Sequence, residues 1–331
     1  VLASYTSNYN LKKPEGTDFI NVQDLNDNAD LIDTAILAEK TAVQTWSKDT
    51  FSNPNLLING DFQVWQRGTS FTSGAVEIYT ADRWKLRYAN GTAAKVDSGL
   101  PLFPNALRYT NIGTGENYNV IHQTIEGFEK LAGQMLTISF YARGVSGRQV
   151  AVHIGSTKVA TITLTSQWTK YTATTSSATF GDGFYRGLAF NTYDLNYAIN
   201  DWYELAGVKL ELGAVATPFV PRPYGEELAL CQWYGINTGA SYIPLRLDKY
   251  DANTLEFVLP LPQMRVPPSV VDISYLSIRQ TGLSTSIAGF TYSIGTQPGS
   301  LKIKATKTAH GLTDAYLVVG ATTFFDAEIY S

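Results

Sequence analysis

Between residues 22 and 46 apolar side chains recur at Val22, Leu25, Ala29, Ile32, Ile36, Val43 and Trp46, with Glu39 as the one break. The alternating three- and four-residue spacing is that of a heptad seam and predicts a helix. Asp18 or Asn21 can cap its start, and Asp24 suits the positive end of the helix dipole. Gln23, Asp24, Asn26, Asp27, Asp30, Asp33 and Lys40 fill the other faces. A stripe this narrow reads as a short self-associating stem. The alternative is one amphipathic helix packed on its own domain. Ile at both Ile32 and Ile36 favours three strands over two. Ahead of the helix, the polar, turn-rich residues 1–21, with Pro14 and Gly16, read as an extended arm.

From Asn55 the period changes to two. Alternation predicts strands over Arg83–Tyr88, Met135–Ala142, Gln149–Ile154, Lys158–Leu164, Thr169–Thr174, Gly187–Tyr193 and Trp202–Leu212, separated by Gly- and Asn-rich turns. Many short strands without helical patterns imply a β-sandwich. Ala216–Pro223 holds three prolines in eight residues and reads as a stiff connection. Glu226–Tyr234 fits one or two helical turns. Further strands are expected at Leu255–Leu259, Ser269–Ser274, Thr291–Ile294, Leu301–Ala305 and Ala315–Val319. The chain is thus mainly β: an arm and helical stem (1–50), a sandwich (51–223) and a C-terminal β head (224–331). Phe257, Leu259, Phe324 and Phe325 are expected to be buried in the head.

Composition narrows the function classes. Of 331 residues only 16% are charged, against about 25% in an average domain, and 12% are aromatic, with 20 Tyr, 15 Phe and 6 Trp. The net charge of −4 and the lack of a basic run argue against nucleic-acid binding. No apolar run approaches the roughly 20 residues that span a bilayer, so no membrane insertion is expected. The single cysteine, Cys231, excludes an intrachain disulfide and a multi-cysteine metal site. His122, His153 and His310 are too far apart for a metalloprotease pattern.

Two sets of residues carry a resemblance. Asn55–Phe62 (NLLINGDF), Gly133–Ala142, Trp168–Tyr171 and Leu205–Glu211 resemble, in that order, segments of jelly-roll carbohydrate-binding modules. Tyr79–Trp84, Gly207–Glu211, Ala216–Phe219 and Arg222–Tyr224 through Trp233-Tyr234 resemble phage tail fibre and receptor-binding proteins. The arm (KKPEGTDFINV) is similar to their attachment segments. The resemblance implies a virion-tail, extracellular homotrimer that recognises a bacterial cell-surface glycan, with the arm meeting tail or baseplate proteins. It also raises a structural calcium, for which Asp61, with backbone carbonyls and Glu211, is the candidate ligand, although Ala206-Gly207 stands where such modules carry acidic ligands.

Sugar recognition uses flat apolar rings and planar polar groups. The candidates are Trp84, Tyr88, Tyr118, Tyr193, Asp194 and Tyr197. Trp84 has a competing reading as a core residue, since it alternates with Arg83 and Lys85. A virion polysaccharide depolymerase would need paired carboxylates, and Asp82, Asp182, Asp201 and Glu204 show no pairing in the sequence. A non-enzymatic adhesion protein is therefore the expectation. The alternatives are that depolymerase and a structural tail or baseplate component without glycan affinity.

Overall fold

The computed structural model describes residues 4–13, 21–50, 52–73, 77–87, 90–113, 119–179, 181, 186–192, 197–237, 243–266, 269–270, 276–280, 286–297, 300–308, 312, 315–319 and 324–326. The chain divides into two units: Val1–Asn53 with Val215–Val220, and Pro54–Ala214 with Pro221–Ser331.

In the first unit, β1 (Ser4–Tyr5) and β2 (Lys12–Lys13) pair antiparallel ahead of α1 (Val22–Thr50). The expected extended arm is therefore, over Ser4–Lys13, a hairpin folded onto the helix. Asn10 turns it at φ 54, and the Thr6 hydroxyl accepts the Leu11 N–H at 2.9 Å. Lys12 reaches Asp24 at 2.6 Å, the Lys12 N–H donates to Asn28 Oδ1 at 2.8 Å, and the Tyr9 hydroxyl donates to Glu39 at 2.7 Å. Glu39, the break in the apolar stripe, is thus the hairpin's anchor. Where the chain returns, Ser52 donates to the Pro218 carbonyl and the Asn53 N–H donates to Thr217. No helix among the described residues is long and apolar enough to cross a membrane.

The second unit opens with twelve strands: β3 (Ser70–Ser73), β4 (Ile78–Tyr79), β5 (Lys85–Arg87), β6 (Gly91–Leu100), β7 (Phe103–Asn111), β8 (Val120–Thr124), β9 (Leu136–Gly144), β10 (Gln149–Ile154), β11 (Thr157–Thr163), β12 (Thr169–Thr175), β13 (Gly187–Asn191) and β14 (Trp202–Leu212). They form two six-stranded antiparallel sheets, β11-β10-β13-β8-β5-β4 and β12-β9-β14-β7-β6-β3. From β7 to β14 the chain changes sheet at nearly every connection, which is jelly-roll topology. Alternation places Ile138, Phe140, Val150, Val152, Leu188, Phe190, Tyr203 and Leu205 between the sheets. The run Leu56–Phe62, within the segment that resembles the opening of carbohydrate-binding modules, is not a strand. Left-handed Asn59 (φ 57) and Phe62 (φ 55) bend it, and it holds to β14 through Leu56 N–H to Leu210 O at 2.8 Å and Val208 N–H to Gly60 O at 2.7 Å. Gly60 is required there, since a Cβ would lie 2.2 Å from the Val208 carbonyl oxygen.

The helix α2 (Tyr224–Gln232) follows the proline-rich connection. Then come β15 (Gly235–Asn237), β16 (Ile243–Tyr250), β17 (Thr254–Pro260), β18 (Ser269–Val270), β19 (Leu276–Gln280), β20 (Ser286–Ile287), β21 (Thr291–Gln297), β22 (Ser300–Thr306), β23 (Ala315–Val319) and β24 (Phe324–Asp326). Their sheets run β15-β24-β18 and β20-β19-β23-β16-β17-β22-β21. Phe257 and Leu259 are buried in a second apolar cluster with Leu255, Ile303 and Leu317. The side chains of Phe324 and Phe325 lie outside the described residues.

Candidate functional site

The motif that resembles the opening of carbohydrate-binding modules is a staple. Asn55 Oδ1 accepts the N–H groups of Leu57 and Leu210, and its amide donates to the Val208 carbonyl, all at 3.0 Å. Asn59 does the same for the next turn: its amide donates to the carbonyls of Val64 and Asp82, and its oxygen accepts the Val64 N–H. Buried Asp82 in turn accepts the Gln66 N–H at 2.6 Å and faces Arg67 at 3.2 Å. From the far end of the domain, Arg222 donates to the carbonyls of Asn55 and Leu57 and to both oxygens of buried Glu227. Glu227 also accepts the Asn59 N–H at 2.5 Å. These residues satisfy backbone groups that would otherwise be buried unpaired.

Two expected sugar contacts are corrected by burial. Trp84 is 0% exposed. Its ring lies 5.1 Å from Phe62 and 6.5 Å from Phe190, and its indole N–H donates to the Asn59 carbonyl. Tyr197 is 6% exposed, set edge-on against Tyr109 and Tyr203, with its hydroxyl donating to the Gln149 carbonyl. Neither ring offers a face to a ligand. Tyr88, Tyr118, Tyr193 and Asp194 lie outside the described residues. The described strand ends nearest to them, Arg87, Val120 and Asn191, are side by side in the ladder.

Those strand ends belong to the outward face of the β4–β5–β8–β13–β10–β11 sheet, which carries a polar cluster off the core. Leu86, Ile121, Leu188 and Val152 point inward, so their neighbours Lys85, His122, Ala189 and His153 point outward, and the register sets them in one row. Glu77 gathers this row: it lies 2.7 Å from Lys85, 3.3 Å from His122 and 3.8 Å from Arg87. Tyr79 lies beside it, 4.5 Å under Arg67 and 4.7 Å under Lys85. Burial raises the Glu77 pKa, but hydrogen bonds from His122 and Lys85 outweigh it and hold the carboxyl at about 2. Burial pushes both His122 and His153 down, so both are neutral near pH 7. The result is one ionised carboxylate gathered by three donor side chains, of which Lys85 and His122 are buried, so that Glu77 and Arg87 are the partly open groups. A carboxyl held this low is a poor proton donor near pH 7. Lys85 falls in an expected strand, but His122 lies in β8, which shows no alternation, and nothing in the sequence ties Glu77 to either.

Asp61 is buried, and burial together with the charge of Glu227 raises its pKa to about 6. Glu211, the carboxylate expected beside it, instead faces Lys209 at 3.3 Å. Both oxygens of Glu227 are taken by Arg222, and no three His, Cys, Asp or Glu side chains gather as a metal set among the described residues. Calcium takes six to eight oxygen ligands, and these side chains do not fit it. The stem positions Val22, Leu25, Ala29, Ile32, Ile36 and Val43 lie on one side of α1, and all six are exposed.

No family model matches the chain, and no curated protein matches it. Among solved structures it is similar to a candidate sugar-binding protein from Bacteroides thetaiotaomicron, with 16% identity, 48% of this chain and 100% of that one covered, and a TM-score of 0.33. It is also similar to the CBM22-1 xylan-binding domain of Xyn10C from Paenibacillus barcinonensis (14% identity, 49% and 96%, TM-score 0.30). A third is a CBM61 module in complex with β-1,4-galactotriose (15% identity, 48% and 99%, TM-score 0.29).

Proposed function

We propose that the chain is a homotrimeric adhesion protein of the phage-tail type, which recognises a bacterial surface glycan without cleaving it and meets tail or baseplate proteins through its N-terminal arm. The observation that carries this reading is the stem. Val22, Leu25, Ile32, Ile36 and Val43 are 66, 55, 42, 59 and 62% exposed on a helix of 29 residues. A seam of apolar side chains at heptad spacing is stable in water only when other helices cover it, and copies of the same chain present the matching surface. Three copies multiply a weak sugar contact into firm attachment. The ordered motifs that resemble those of tail receptor-binding proteins support the phage assignment, and the partly exposed Glu77 and Arg87 offer polar contacts for recognition.

Light scattering on the full chain at micromolar concentration is expected to give three times the monomer mass, and a monomer would overturn the assembly. Binding to whole bacterial cells or to a glycan array tests the adhesion. Release of oligosaccharides from purified cell wall would replace this reading with a depolymerase.

A further inference from the structure

We propose that the outward face of the other sheet, β12-β9-β14-β7-β6-β3, holds a second site, which binds the anionic group of an acidic glycan through Arg108 and Arg143. The proposal rests on the adhesion reading and adds the chemical class of the ligand.

Glu204 alternates with the inward-facing Tyr203 and Leu205, so it faces away from the core. Its ladder partners are Arg108 on β7 and Arg143 on β9. These side chains start two strand spacings apart, about 10 Å, and converge on the one carboxylate. Arg108 Nε donates to Glu204 Oε1 at 2.7 Å, with its Nη2 on the same oxygen, and Arg143 Nε donates to Oε2 at 2.6 Å. Each guanidinium is braced by a ring. Arg108 lies 4.6 Å over Trp202 and Arg143 lies 4.7 Å over Trp168, whose indole N–H is itself fixed on the Ser98 carbonyl.

Three features distinguish this from an ordinary cross-strand ion pair. Two cations share one anion, so the cluster carries a surplus positive charge. The Glu204 side chain is 0% exposed, whereas the Arg108 and Arg143 side chains that cover it are 39% and 27% exposed, which puts the positive charge toward solvent. A guanidinium has five N–H donors, and among the described residues Arg108 Nη1 and both Nη groups of Arg143 have no acceptor. Two planar forks, held by Glu204 beneath and by the indoles alongside, are preorganised for a carboxylate or phosphate oxygen pair. A neutral sugar would leave those donors and that charge unanswered. The shared chemistry is an oxyanion on a glycan, and its source is either a uronate carboxylate or a backbone phosphate.

The test is calorimetric titration of the full chain at low salt with trigalacturonate, its methyl ester and a glycerol-phosphate oligomer. An anionic probe is expected to bind at least about tenfold more tightly than the ester. Whichever of uronate and phosphate binds better identifies the source of the oxyanion. Arg143→Lys and Arg108→Lys keep the charge and lose the fork, and each is expected to weaken the anionic probe about tenfold with an unchanged melting temperature. The wild-type preference over the ester is also expected to shrink at high salt, a readout that depends on no variant. Equal affinity for acid and ester overturns the site. So does failure of both anionic probes on a chain that binds host cells, and either result leaves the adhesion reading standing. A chain that binds no cell and no glycan overturns both.

Discussion

Asp61 shows how one residue sets the response to pH. Its carboxyl is buried beside Glu227, and its pKa rises from 3.8 to about 6 on folding. The folded state therefore binds its proton more tightly than the unfolded chain does. The stability this contributes is fully present below pH 4 and is lost as pH rises through about 6. Glu77 acts in the opposite sense: with a folded pKa of about 2, it stabilises above its unfolded value near 4.5 and loses that contribution as pH falls. Asp61→Asn is expected to raise the melting temperature at pH 7, by the equivalent of at most about 3 kcal/mol, and to remove the decline between pH 4 and 6. Thermal melts across pH 4–8 check this. Because the side chains around Asp61 do not fit calcium, millimolar calcium and a chelator are expected to leave the wild-type melt unchanged. At the residue scale the sequence is least legible. Trp84 and Tyr197 have the chemistry of sugar platforms, but a buried aromatic that packs and donates one hydrogen bond has the same composition and spacing. The turn conformations of Asn59 and Phe62, which convert a strand-like run into a staple, leave no periodic trace.

At the scale of elements, legibility followed amphipathicity. Gln149–Ile154, Trp202–Leu212 and Ala315–Val319 match the boundaries of β10, β14 and β23, because apolar residues recur at every second position, with one register shift in β14 between Ala206 and Lys209. The strands β6, β7 and β8 carry no such signal. Every residue of β8 is buried, so Val120–Thr124 shows no alternation. Pro104 stands in β7, and Gly91, Asp97 and Gly99 dilute β6. The helix was legible because its stripe is apolar, and the same stripe carries its prediction. In the proposed trimer, Ile32→Asp or Ile36→Asp would place like charges together at the seam. Either is expected to convert the trimer to monomer in light scattering while the jelly roll's melting transition persists. Tyr9→Phe, which removes only the hydroxyl bond to Glu39, is expected to keep the trimer. Loss of assembly in Tyr9→Phe would show that the hairpin, rather than the apolar stripe, holds the copies together.

Over the whole molecule, the connection after the jelly roll determines where that domain ends. The proline-rich segment suggested an end at residue 223, but side chains beyond it complete the sandwich. Glu227 on α2 receives the Asn59 N–H and the Arg222 guanidinium. Tyr234 lies 3.6 Å under Arg83 and donates to Glu126, and the Gly235 carbonyl accepts from Gln66. A fragment ending at 223 lacks the Glu227 carboxylate that receives the Asn59 N–H and the Arg222 guanidinium. Removing one partner of a buried pair costs about 3–5 kcal/mol, which for a domain of this size lowers the melting temperature by on the order of 10 °C. A fragment of residues 54–237 is therefore expected to melt cooperatively, and 54–223 to melt well below it or fail to fold. In the full chain Glu227→Ala is expected to lower the sandwich's transition by a similar amount, with Glu227→Gln intermediate because one amide oxygen can still accept the Asn59 N–H. Equal melting of the two fragments would place the boundary back at the prolines and reduce α2 to a linker.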